Sequence, residues 1–187
     1  HNRSNSSLTL TNCVFTNNDI AIYNNGTVSS ITKCMFDGNT TGAIVNIGGT
    51  ASITGCTFTN NASGISNDQS WPTIENCIFD NNASYGIKND ETNSTISNCV
   101  FLNNNASGIE NFSSSPVVES CTFESNSAAM GGGMWNNYNS SPTIDGCTFK
   151  NNYAFKEGGG IASHSTSNPT ITNTVICSNE PDQIYGS

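Results

Sequence analysis

A repeat with a period near 22 residues runs through the whole chain, and it limits what the chain can become. Seven stretches align on a cysteine: CVFTNN, CMFDGN, CTFTNN, CIFDNN, CVFLNN, CTFESN and CTFKNN, beginning at Cys13, Cys34, Cys56, Cys77, Cys99, Cys121 and Cys147. An eighth, TVICSN from Thr174, lacks the cysteine in that column. The intervals are 21, 22, 21, 22, 22, 26 and 27 residues. Three positions before the cysteine column stands an apolar residue: Leu10, Ile31, Ile53, Ile74, Ile96, Val118, Ile144 and Ile171. Downstream, a small residue precedes a second apolar one: Ile22, Ile44, Ile65, Ile87, Ile109, Met134, Ile161 and Ile184. A unit this short cannot bury its apolar side alone, so neighbouring copies must stack.

In PTIENCIF, residues 72–79, Ile74, Cys77 and Phe79 point the same way only if the chain kinks near Asn76, because strand side chains alternate. The expected fold is therefore all-β: a right-handed parallel β-helix of about eight coils, ~22 residues per coil, rising ~4.8 Å per coil into a rod about 38 Å long. It reads as a single β-helix domain over 1–187, either whole or a segment of a longer solenoid or fibre.

The stretch CTFKNNYAFKEGGGIASHS, with Gly158, Gly159 and Gly160 near Lys156 and His164, looks in isolation like a phosphate loop. Such a loop needs a strand before it and a helix after it. No helix-period segment follows, and the same slot holds ASGI in two other copies and GGGM in the sixth. The glycines are expected to serve a tight corner, through positive φ or close backbone approach.

The paired motifs FESN…GGGM and FKNN…GGGI resemble those of the chlamydial polymorphic outer-membrane proteins. More broadly, the chain is similar to the pectate-lyase-like parallel β-helix superfamily. The FxxN half is present in every copy but the last, where Ile176 replaces Phe, and the glycine half is degenerate in the first five. The resemblance implies the fold and an extracellular or cell-surface setting. Activity does not travel with a widely used fold.

Composition narrows the partners. A net charge of −9 with only five Lys+Arg repels phosphate backbones and anionic lipid, so neither nucleic acid nor an anionic membrane is an expected partner. No apolar run approaches the ~20 residues of a helical span, and no signal-peptide pattern opens the chain. It begins at His1 rather than Met, as a processed or excised piece would. A mix this polar, with 10% charged residues, fits disorder by composition alone. The even spacing of the apolar residues argues for an ordered fold instead.

The FxxN asparagines, Asn18, Asn39, Asn61, Asn82, Asn104, Asn126, Asn152 and Asn179, are expected to stack as a structural ladder, bonding to one another and to backbone groups that the turn leaves unpaired. A second column, Asn24, Asn46, Asn67, Asn89, Asn111 and Asn136 with Ser163 last, is expected to do the same. Seven cysteines in one inward column lack the CxxC spacing of a metal site. Stacked neighbours ~4.8 Å apart fall within disulfide reach, although in-register strands make the torsion awkward. Buried free thiols acting as small hydrophobes are favoured, with the bridged alternative open. Cys177 lies three residues past the column position and is expected to face elsewhere. Ten Asn-x-Ser/Thr sequons occur. Those at Asn39, Asn61 and Asn82 fall in the ladder, whereas Asn93 and Asn139 lie in loops where glycosylation is possible.

The outward column after the first apolar residue reads Thr11, Thr32, Thr54, Glu75, Ser97, Glu119, Asp145, Thr172. Glu119 and Asp145 become stacked neighbours, and with Glu124 they are the best candidate for a Ca²⁺ site or an acid pair of the kind glycosidases use. No catalytic residue and no cofactor are expected, because no arginine beyond Arg3 exists and Lys150 is explained as the cross-coil partner of Glu124. Lys88 and Glu110 make a similar expected pair. The outward Thr/Ser grid of TLT, SIT, TIS and TIT also suggests ice binding, with Glu75, Val117, Glu119 and Asp145 as breaks.

His1-Asn2 aligns with Trp135-Asn136, and IYGS closes the chain in nearly the same phase. Uncovered coil edges invite pairing with further coils or with copies of the chain. The expected function is a non-enzymatic extracellular structural protein: a stalk, an adhesin-type surface protein using Tyr23, Trp71, Trp135 or Tyr138 on host or environmental glycans, or an end-to-end stacking fibre subunit. A polysaccharide-binding or polysaccharide-cleaving β-helix is the alternative, and an ice-binding protein the second.

Overall fold

The computed structural model describes residues 6–186 and has no helix among them. Asn2, Arg3 and His1 lie outside the described residues. Every copy of the repeat makes one coil of three short parallel strands, numbered here as coils 1–8 from Cys13 to Thr174. The first face carries the first apolar column, from Ser7–Thr11 to Thr170–Thr172. The second carries the Cys-x-Phe strands, from Val14–Thr16 to Val175–Cys177, and forms an eight-stranded parallel sheet. The third carries the second apolar column. First and third faces belong to one 14-stranded sheet because the strands Ile20–Thr32 and Gly42–Thr54 run around the corner between them without a break.

Pairing is parallel and in register, column on column: Ile53 with Ile74, Phe58 with Phe79, Ile87 with Ile109. The kink expected near Asn76 is a left-handed residue, φ 54°, and each coil has one in that place, from Asn12 through Lys33, Gly55, Asn98, Ser120 and Gly146 to Asn173. A second left-handed residue precedes each ladder asparagine, from Asn17 to Ser178. Asn and Gly tolerate this region best, so the polar composition divides into corner residues and ladder residues.

Four apolar columns fill the interior: two aliphatic, one of cysteine and one of phenylalanine. Isoleucines, cysteines and phenylalanines from Ile31 to Ile161 form one buried cluster. The phenylalanine rings from Phe15 to Phe149 stack with centroids 4.3–5.0 Å apart and planes within 6°. The coil rise sets this parallel stack; isolated aromatic pairs prefer offset or edge-to-face geometry. Of the glycines in the opening stretch, Gly158 has φ +63°, and a Cβ on Gly160 would stand 2.3 Å from the Gln183 carbonyl. Positive φ and close approach are thus both used.

Coils 6 and 7 carry most of their extra residues at the corner between the second and third faces. There Ser127–Met130 and Tyr153–Glu157 form a separate two-stranded sheet outside the core. One expected ion pair is corrected. Lys88 stands opposite Glu110 in register, but its ammonium lies 3.6 Å from Asp90 on its own strand and 5.3 Å from the Phe112 ring centroid. Strand neighbours two apart share a face, and Asp90 offers the shorter path to an ion pair.

Candidate functional site

The asparagine ladder uses every polar atom of its amides. In the coils that carry it, the backbone N–H and Nδ2 of one asparagine both donate to Oδ1 of the next, as Asn82 does to Asn104 at 3.1 and 2.9 Å. From Asn39 onward each Nδ2 also donates to the carbonyl of the previous coil's phenylalanine, as Asn104 does to Phe79 at 3.1 Å, whereas that of Asn18 donates to the Thr16 carbonyl. Asp lacks the donors and Gln has the wrong reach within a coil, so the position demands Asn. At Asn179 the acceptor is Gln183 Oε1, which receives both donors at 3.2 and 3.0 Å and stands where another ladder carbonyl would. The second column is simpler, each Nδ2 donating to the next Oδ1 from Asn24 to Asn136.

A third ladder escaped the sequence reading. Backbone N–H groups of Ser70, Thr92, Ser114 and Ser140 donate to the hydroxyls of Thr92, Ser114, Ser140 and Ser167 at 2.9–3.1 Å. All five residues are buried. The signal was present as Ser-x-Pro at Ser70, Ser114, Ser140 and Ser167.

The cysteine column is buried from Cys34 to Cys147, and all eight thiols are free. The Cys34, Cys99 and Cys121 amides donate to the next sulfur at 3.4 Å. Thiol–thiol hydrogen bonds along the column, and then burial, push Cys99 and Cys121 up to about 12. Protonated and enclosed, these two pack as small hydrophobes, whereas the Cys121 thiol draws its neighbour Cys147 below its ordinary value. Cys177 is exposed, opposite Lys150.

Outside, Glu119 and Asp145 do stand opposite one another on the first face. The Asp145 carboxylate, however, accepts from Thr172 Oγ1 at 2.6 Å and Asn173 Nδ2 at 2.8 Å, which hold it below its ordinary range. Glu124 lies around the corner on the second face, 2.8 Å from the Lys150 ammonium. The structure does not bring the three carboxylates together, and no group of three or more His, Cys, Asp or Glu among the described residues is placed to hold a metal. Asn93 and Asn139 sit exposed in the turns between the third and first faces, whereas the sequon at Asn111 is buried in the second ladder.

Two surface features remain. On the first face, Thr9, Val28, Ser30, Ser52, Trp71 and Thr73 line an open groove of about 420 Å³. Trp71 is exposed there, as is Tyr138 elsewhere, while Trp135 is partly buried. At the step between coils 5 and 6 lies a second cleft, of about 290 Å³.

The family model described as Right handed beta helix region matches residues 2–110 and 87–187. The chain belongs to that family. No curated protein and no solved structure matches it. Membership in the right-handed β-helix family accounts for the coil and its inward columns. It assigns no role to the outer faces, where this chain's own residues must be read.

Proposed function

We propose that this β-helix serves as a rigid, non-catalytic spacer of the extracellular surface, extended by further coils or by copies of itself. One observation carries the reading: the asparagine ladder passes through all eight coils without interruption, and the phenylalanine stack through the first seven. Every coil is thereby tied to its neighbours by side-chain hydrogen bonds as well as by backbone ladders. A rod so linked resists bending and shear. The charge-poor Ser/Thr/Asn exterior and the exposed sequons at Asn93 and Asn139 support an extracellular setting.

Electron microscopy and single-molecule pulling test this. Stiff rods, or fibres whose axial repeat is a whole number of ~4.8 Å coils, are expected, with cooperative high-force rupture. Flexible particles, or shortening of polysaccharide chains with or without Ca²⁺, would sink the reading. A second reading, glycan binding, is favoured by the Trp71 groove, where hydroxyl rows flank an exposed indole. It predicts oligosaccharide retention that Trp71→Ala abolishes.

A further inference from the structure

The regular coils turn from the second to the third face in a few residues, as at Asn105–Ala106–Ser107 in coil 5. Coil 6 instead sends the strand Ser127–Met130 outward, and that strand pairs only with Tyr153–Glu157 of coil 7. Toward coil 5 it has no strand beside it. Its two ends are tethered downward: the Ser127 N–H donates to the Asn104 carbonyl at 2.9 Å, and Ser107 Oγ donates to the Met130 carbonyl at 3.2 Å. The middle, Ala128–Ala129, arches over the cleft of about 290 Å³. Ala106, Met130 and the Trp135 ring supply its apolar walls, and Glu110 supplies the carboxyl group.

Three properties define an occupant. An open strand edge pairs with an extended backbone, which adds amides at ladder spacing. An indole face beside a carboxylate favours a cation. The ammonium opposite Glu110 in register, that of Lys88, lies 3.6 Å from Asp90. The chain's charge of −9 adds long-range attraction for a basic partner. The Trp135 ring packs edge-on against Phe112 at 5.0 Å, and its N–H is buried without a partner among the described residues. A saccharide would meet the indole but not the strand edge.

We propose that the step between coils 5 and 6 is a docking cleft for an extended polypeptide segment bearing a lysine or arginine, its backbone alongside the untethered middle of the strand at Ala128–Ala129 and its cation between Trp135 and Glu110. The inference is independent of the spacer reading, since a rod with or without adhesive properties presents the same ledge.

The test is an NMR titration of the intact chain with the peptide acetyl-Ser-Val-Lys-Val-Ser-amide. Shifts confined to residues 105–110 and 127–135 are expected. Binding should weaken about tenfold or more, 1.4 kcal/mol per decade, in Glu110→Gln, with norleucine in place of the peptide's lysine, and with backbone N-methylation of the peptide. Ala129→Pro, on the exposed arch, should do likewise, whereas Trp71→Ala should change nothing. Spectra of each variant away from the cleft report its folding. Equal binding of the N-methylated or norleucine peptide overturns the proposal, as does the absence of shifts at millimolar peptide. Stronger perturbation of the same signals by an oligosaccharide overturns the identity of the occupant.

Discussion

In coils 1–5 the chain passes from ladder asparagine to third-face isoleucine in four or five residues, Asn61 to Ile65 for example, whereas coil 6 takes eight, Asn126 to Met134, and coil 7 nine, Asn152 to Ile161. The interior ignores the difference. Phe123 and Phe149 stack at 4.3 Å, and Asn126 Nδ2 reaches Asn152 Oδ1 at 2.9 Å, as in the regular coils. Extra residues at a corner leave outward and cost only slowly growing loop entropy. An extra residue within a strand would instead flip each following side chain to the other face. Variation is therefore confined to corners, and the corner that varies most is where the ledge and its cleft arise.

That contrast breaks most sharply at phenylalanine. Phe101, fully buried in the stack, and Phe155, 72% exposed on the outer sheet, are the same residue in the two settings. Phe101→Ala should cost about 3–5 kcal/mol, and Phe155→Ala should stay within about 0.5 kcal/mol of the parent. Urea midpoints at unchanged slope would measure both. Equal losses would mean that the outer sheet is part of the core.

Neighbouring asparagines sharpen the point within one coil. Asn104 donates to Phe79 and Asn126 and accepts twice from Asn82, while Asn105 is exposed. Asn104→Ala orphans several buried groups at about 1–3 kcal/mol each, so a total above about 2 kcal/mol is expected. Asn105→Ala should be near neutral. If the two cost the same, the ladder is a passive filler.

Inward columns were legible because their residues repeat at a fixed spacing and a buried position tolerates few alternatives. The cysteine, phenylalanine and asparagine columns, and the kink at Asn76, could be placed from spacing alone. The serine ladder was harder to see, because Ser and Thr also crowd the exposed strands and only the following proline separates the two uses. Gln183 was invisible, since it takes the acceptor role of a ladder asparagine from a position four residues later. Surface chemistry was legible least. Glu119, Asp145 and Glu124 look clustered along the sequence, but a left-handed corner at Ser120, φ 52°, sends the last to another face. The step cleft depends on an offset between coils of unequal length, which no column of aligned residues displays.

The thiols make a comparison without stability cost. Cys177 is exposed and Cys13 half-buried, against six enclosed sulfurs from Cys34 to Cys147. An aromatic disulfide reagent should label one thiol promptly, a second slowly and all eight after denaturation. Prompt labelling of four or more would show that the column opens on the reagent's timescale.

The smallest effect expected is one of sign, and it sets the step against the regular face. Burial, opposed in part by Lys88, pushes the Glu110 carboxyl above its ordinary 4.5, while hydrogen bonds from Thr172 and Asn173, in that order, draw Asp145 below its ordinary 3.8. A carboxyl raised by folding is ionised more easily in the unfolded chain, so Glu110 withdraws stability as pH rises past 4.5 toward its folded value. Asp145 does the reverse: its contribution is present above 3.8 and disappears as pH falls through the lowered folded value. The urea midpoint of Glu110→Gln should therefore gain on the parent with rising pH, and that of Asp145→Asn should converge with the parent as the solution is acidified. The position of Asp145 at the surface, half-buried, keeps its share small and sensitive to salt, so low ionic strength gives the clearest reading. A Glu110→Gln midpoint parallel to the parent across this range would show the carboxyl to be solvated rather than enclosed by the cleft at the step.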